Sequence, residues 1–331
     1  EYAFMSTIKN IVNDKTERIA FIEGHGELRE YAVNDISTEL SKTYQIDRGQ
    51  IQGQPGILDD FKAVIIAKPT RPFSEPDKFV LDQYVMKGGK VLWLLDMVQV
   101  SLDSLINGET MAFINDLNLD DLLFRYGVRG NPVLVQDIQC NVIPVNVALS
   151  GNAPNFQPAP WLYYPLMAPS AGHPVSQNLN FVLGKFVNSI DTLAARNEIH
   201  KTPLLATSPY SRERKAPLMV SLEEIKDDPQ QSEFDNKTYL TGVLLEGEFE
   251  SAFTNRGMER YFDGIPEILE KSIKTRMAVI ADGDVIANEF KHTAHGVSIS
   301  PLGYDRYTRQ TFGNKDFLVN LVQFLGDNNN L

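Results

Sequence analysis

Arg276–Phe290 reads RMAVIADGDVIANEF, and this stretch decides the fold. Met277–Ala281 is apolar throughout, too short for a helix, and runs straight into Asp282-Gly283-Asp284. A parallel strand buried on both faces has this pattern where it ends in a polar loop. Three similar runs lie early in the chain: Arg18–Ile22 (RIAFI), Ala63–Ala67 (AVIIA) and Lys90–Leu95 (KVLWLL). Each meets a turn or a polar residue: Glu23-Gly24-His25-Gly26, Lys68-Pro69-Thr70, and Asp96. The late strand is therefore expected to return to a sheet begun by the first three. Its informative polar residues would share one rim, outside the carboxyl ends of the strands, where open α/β sheets take their ligands.

The segments between these runs fit helices. Leu28, Ala32, Ile36, Leu40 and Tyr44 recur every four residues and predict a helix over Leu28–Thr43, followed by a second strand at Tyr44–Ile51. Ser74-Glu75-Pro76-Asp77 opens another helix: Ser74 can cap it, Pro76 suits the first turn, and the acids suit its positive end. Gly88-Gly89 ends it. Leu119–Tyr126 and Lys315–Leu325 are two more, the last with Asn314 as expected cap, and Met5–Ile11 is a short opening helix or arm. Alternating strands and helices define a mostly parallel, doubly wound α/β sheet. The expected organisation is one α/β domain from residues 1–130 plus 276–331, with 131–275 as a β-rich insert or second subdomain. Val133–Val147 and Tyr239–Phe253 supply its strands. Six prolines between Pro154 and Pro174, mixed with Trp161, Tyr163 and Tyr164, argue for an extended path and against a central strand.

The 331 residues carry 31 Lys+Arg against 43 Asp+Glu, a net charge of −12. That balance argues against nucleic acid or anionic lipid as the main partner. One cysteine, Cys140, excludes an internal disulfide, and no run approaches a membrane-spanning length. The chain begins at Glu1 and shows no signal peptide, as expected of a piece of a longer protein.

Several constellations invite a chemical reading. Gly24-His25-Gly26 sits where a strand meets a helix and could hold an anion, with Asp47 in the place of a ribose-binding acid. Arg29 occupies the third-glycine position of that fingerprint, which leaves an ordinary tight turn as the stronger account. Asp96, Asp282 and Asp284, with Glu23 or His25, form a candidate rim of hard oxygen ligands for Mg²⁺ or Ca²⁺, and would suit a metal-dependent hydrolase. The plainer account is that aspartates cap the turns after buried strands. Cys140 lacks a glycine-flanked elbow and reads as an inert strand residue. His292 and His295 are spaced one short of a helical ligand pair, and no G-x-S-x-G elbow exists. Arg212, Arg214 and Lys215 form the densest basic cluster, read as a solvated loop tip or a docking patch. Trp161, Tyr163 and Tyr164 offer a binding edge or plug a core.

The order of blocks carries a resemblance. The glycine-histidine turn is followed by DFKAVIIAKPT, GGKVLWLLD, WLYYPLMAPSAGHPVSQNL, FVNSID, TPLLATSPYS, YLTGVLLEGEFESAF and RMAVIADGDVIANE. This series resembles the extracytoplasmic domain of the GldG family, the gliding-motility ABC-transporter auxiliary proteins of Bacteroidetes, over roughly Ile19 to Leu325. The resemblance implies a fold similar to class I glutamine amidotransferases (flavodoxin-like) without their catalytic residues. It implies no cofactor and a place on the periplasmic face of the inner membrane, with anchoring helices outside this segment. The partners it implies are a permease-like membrane subunit and, through it, a cytoplasmic ATPase, with room for a homo-oligomer.

Overall fold

The computed structural model describes residues 17–146, 155–194, 199–226, 229–254, 256–258, 261–262, 268–293 and 296–327. The Met5–Ile11 helix and His295 lie outside them. Ten strands form the main sheet: β1 (Arg18–Glu23), β2 (Gln45–Gln50), β3 (Ala63–Ala67), β4 (Val91–Leu94), β5 (Cys140–Asn146), β6 (Phe156–Pro169), β7 (Val182–Leu183), β8 (Ile199–Ala206), β9 (Leu240–Gly247) and β10 (Thr275–Ile280). Their order is β7-β6-β8-β9-β10-β4-β3-β1-β2, with β5 beside β6. The late strand does return: β10 pairs in parallel with β4, which pairs in parallel with β3. The five strands β2-β1-β3-β4-β10 are parallel; β1, β3, β4 and β10 are the four double-faced apolar runs, and the polar β2 pairs beyond them with β1.

The sheet continues into 131–275, where the mates are antiparallel: β9 against β10, β8 against β9, β6 against β8. Strands of that segment extend the same sheet, and its smaller strands form two- and three-stranded sheets beside it.

The alternation of strand side chains sorts the core into two layers. Val64, Ile66, Val91, Trp93, Met277 and Val279 face one side, against a helix α2 (Glu75–Met86) and a helix α3 (Asp120–Tyr126). Ala63, Ile65, Leu92, Leu94, Ala278 and Ile280 face the other, against α1 (Asn34–Leu40) and α4 (Asn314–Gly326). The predicted Leu28–Thr43 helix is shorter, a 3₁₀ turn at Glu30–Val33 running into α1, but its Ala32, Ile36, Leu40 and Tyr44 stripe is buried as expected. Ser74 caps α2 by accepting from the Asp77 amide at 3.2 Å. Gly127, at φ 91°, ends α3 in the left-handed region that glycine reaches without strain. Asn314 does not cap α4. It is buried, and its side chain holds both backbone groups of Leu183 and the carbonyl of Val285, fastening the helix to the sheet.

The proline-rich segment is the largest departure from expectation. Phe156–Pro169 is one 14-residue strand that pairs with β5, β7 and β8. Pro158 stands opposite Pro144, and a pair with no N–H on either side can only be a non-hydrogen-bonded pair of the antiparallel ladder. The missing donors then point away from the partner strand, so the pairing survives the prolines.

Candidate functional site at the strand ends

Lys68, Asp96 and Asp282 follow β3, β4 and β10, three neighbouring parallel strands, and so converge at one crevice. Lys68 Nζ contacts Asp284 Oδ2 at 2.5 Å and Asp96 Oδ2 at 3.2 Å. Asp96 Oδ1 accepts the Gly283 amide at 2.6 Å. Asp282 accepts twice from backbone, from Asp284 at 2.7 Å and from Lys185 at 2.8 Å. The loop approaches Lys68 so closely that a Cβ on Gly283 would lie 2.9 Å from the Lys68 Cα. Lys68 itself is left-handed, at φ 55°, and Phe186 likewise at φ 54°. Non-glycine residues hold that region at a cost, which the surrounding contacts must offset. Beside the cluster, Lys185 bonds Glu289 at 3.0 Å, with its ammonium 5.7 Å from the Tyr164 ring centre.

Burial dominates the electrostatics. It works against the Lys68 ammonium, but Asp284 and Asp96 outweigh it and hold the lysine charged well above its ordinary range. Burial pushes the Asp96 carboxyl up against the pull of Lys68. Asp282 is pushed far up by burial, and next by Asp284 and Asp96. Buried and half-buried carboxyls crowded around one cation cannot all ionise freely.

The other two residues expected on this rim, Glu23 and His25, are engaged elsewhere, and so is Asp47, the candidate ribose acid. Glu23 bonds Arg48 at 2.7 Å across β1 and β2. Asp47 is held by Arg18 at 3.0 Å. His25 lies between two carboxylates, Nδ1 to Glu27 at 3.1 Å and Nε2 to Asp77 at 3.0 Å, with its ring stacked on Phe73 at 3.7 Å. Its own amide donates to Glu27, so the turn spends on its own side chain the donor that an anion would need. The His25 carbonyl accepts from Thr70 and Arg71, which ties this turn to the loop after Lys68.

The His25 clamp has a pH consequence. Burial alone would lower its pKa, but Asp77 and Glu27 raise it from 6.5 to about 9. A raised folded-state value gives stability that is fully present below pH 6.5 and is lost as pH climbs through 9. Between pH 7 and 9 the domain should lose about 2 kcal/mol of unfolding free energy by this route. Urea titrations at the two pH values measure it, and a His25→Gln variant with the same pH slope as wild type would refute the assignment.

The basic cluster is no loop tip. Arg212, Arg214 and Lys215 lie on a strand, Ser211–Lys215, paired with Val133–Asp137. Arg212 is taken up by Gln136, Glu233 and the Phe234 ring, while Arg214 lies 3.9 Å from Glu224. Lys215 is exposed. The aromatic edge is corrected as well. Trp161 and Tyr163 are 2% and 0% exposed in a third core cluster with Phe186, and only Tyr164 is half-buried. Tyr163 donates its hydroxyl to Glu224 at 3.1 Å. Cys140 opens β5, and burial pushes its thiol up to about 11, away from nucleophilic use. His292 lies on the strand Phe290–Thr293. Among the described residues, no group of three or more His, Cys, Asp or Glu is arranged to hold a metal ion.

Sequence reasoning found the three aspartates and missed Lys68, Lys185 and Asn188. Asn188 bridges the site's rear wall, accepting from the Met97 amide and donating to the Val133 carbonyl. The one available signal for Lys68 was its position, directly after a buried strand, where an open α/β sheet presents its polar residues.

The model of a family described as ABC-type uncharacterized transport system matches residues 16–321. Among solved structures, this chain is similar to one titled mmIFT52 N-terminal domain. The TM-score is 0.52 at 14% identity, over 95% of this chain and 100% of the other. A likeness at that identity concerns the fold alone. No curated protein matches the chain.

Proposed function

Because the chain belongs to the auxiliary family of an ABC-type uncharacterized transport system, we propose that it serves that system as a non-catalytic interaction domain on the extracytoplasmic side of a membrane. Its partners would be the system's permease-like subunit and, through that subunit, the cytoplasmic ATPase. The resemblance to the gliding-motility family supplies the finer reading: a periplasmic domain tethered at the inner membrane, acting in gliding and in secretion of surface proteins. The same reading takes the doubly wound sheet as an amidotransferase-like scaffold without its nucleophile elbow, supported by the placement of Cys140 on a strand.

One observation carries the non-catalytic part. The crevice at the strand ends, where an α/β enzyme would bind its substrate, is filled by the protein's own chemistry: Lys68 between Asp96 and Asp284, and backbone amides on Asp96 and Asp282. The acids that a hydrolase would offer to a metal are already engaged. The full-length protein, tagged and extracted from membranes, should bring down a membrane-spanning ABC permease and its ATPase in stoichiometric amounts. A preparation free of both would overturn the partner assignment. In a strain deleted for the gene, an Asp284→Asn variant at wild-type abundance should restore colony spreading and secretion in full. A folded variant that fails to do so would return the rim to catalysis.

A further inference from the structure

From Ile138 to Gly184 the chain contains no Asp, Glu, Lys or Arg, although charged residues make up 22% of the whole. The first part of this run builds a two-stranded ribbon. Phe156–Pro160 pairs only with Val142–Asn146, and the register shifts after Pro160, before β6 enters the main sheet. The prolines define what this ribbon can meet. Pro144, Pro158 and Pro160 sit at non-hydrogen-bonded positions, so they delete outward-facing N–H donors from both edges. A partner strand added to either edge would find gaps in the ladder, which is how natural sheets block edge pairing. Recognition is left to the faces.

One face carries Phe156, Pro158 and Pro160, with Asn146, Pro144 and Val142 opposite them, because alternate residues share a side. Phe156 is 63% exposed, Pro158 and Pro160 are exposed, and Val142 and Pro144 are half-buried. An isolated two-stranded ribbon is marginal in water, so a covering surface would stabilise it. Charge identifies the cover. In a two-fold contact a patch meets itself, so any net charge in it repels its own copy. A chain of net charge −12 has a face for self-contact where it is free of charge.

We propose that the Phe156–Pro158–Pro160 face is a self-association surface, joining two copies of this chain ribbon to ribbon about a two-fold axis. Five residue pairs span far less than the roughly 800 Å² per partner of a standard interface, so the contact is weak in solution. Tethering of both copies to one membrane would raise their effective concentration and favour it.

Sedimentation equilibrium of the purified chain, from about 10 µM to about 1 mM, tests this over the dissociation constants expected of a weak complex. The weight-average mass should rise toward a dimer. Added salt should strengthen association, because it screens repulsion between two acidic bodies while leaving a neutral contact intact. Phe156→Asp should weaken the dimer by more than tenfold, and Phe156→Leu should keep it. Phe113→Asp, on a different exposed apolar surface, where Phe113 is 59% exposed, should leave it unchanged. Phe156 is mostly solvent-exposed, so these variants should fold, and circular dichroism checks that. A monomer throughout the range, association weakened by salt, or a dimer indifferent to Phe156→Asp but lost in Phe113→Asp would each overturn the proposal.

Discussion

Replacing Asp82 with alanine should cost about 3–5 kcal/mol of stability, the range for breaking a fully buried charged network from one side. Asp82 lies on α2 and is completely buried. Its Oδ1 accepts from the Tyr126 hydroxyl at 3.0 Å and the Ala252 amide at 2.9 Å. Its Oδ2 accepts from the Ser251 hydroxyl at 2.6 Å and from the Gln83 side-chain Nε2 at 3.0 Å. Burial pushes this carboxyl up, and the four donors pull it back only in part. Alanine would strand all four donors in a dry core, with a cavity besides. Asparagine keeps one acceptor but turns a donor toward Ser251 or Tyr126, so it should fall in between. Urea unfolding gives both values from the midpoint at constant slope. A loss under 1 kcal/mol for Asp82→Ala would mean that water reaches the site and satisfies the stranded donors.

Nothing in the sequence marks Asp82 as an anchor. It stands in a helix among apolar residues, where an acid usually faces water, and apart from the adjacent Gln83 its partners are 44 and about 170 positions away. The parallel strands were legible for the opposite reason. Ala63–Ala67 or Met277–Ala281 shows its burial on both faces locally, without knowledge of any partner. The rim aspartates followed from those strands, since whatever succeeds a buried parallel strand must sit at its carboxyl end. The same rule places Lys68 after β3, but its role was not legible, because that depends on β10 settling beside β4, and its contact with Asp284 spans 216 positions. His25 stood out as a glycine-flanked histidine, yet Asp77 reads as a helix-start acid, and only the fold shows that it faces the imidazole. The proline count predicts the extended path of β6 but argues against its place in the sheet only while its register is unknown. Opposed prolines at non-hydrogen-bonded pairs leave β6 free to run into the sheet and bury Trp161 and Tyr163.

Lys68→Met should also cost about 3–5 kcal/mol at neutral pH, since it leaves buried carboxylates around a cation that is gone. Methionine keeps the length and most of the volume, so the loss measures charge more than packing. The pH dependence has a definite sign. Without Lys68, the folded state holds protons on Asp96 and Asp282 more tightly than the unfolded chain does, and both already lie above the ordinary range. Groups with raised carboxyl values favour the folded state as pH falls, so the deficit of Lys68→Met should shrink between pH 8 and pH 5. Adding Asp284→Asn removes one of the stranded charges, and the double variant should recover at least about 1 kcal/mol, a coupling typical of residues in contact. These outcomes would make the cluster a clamp that closes the strand-end crevice, in keeping with an auxiliary domain that works through its surfaces. The contrary result is equally informative. A Lys68→Met protein of wild-type stability that fails to support transport would mean that the lysine charge is kept for a ligand.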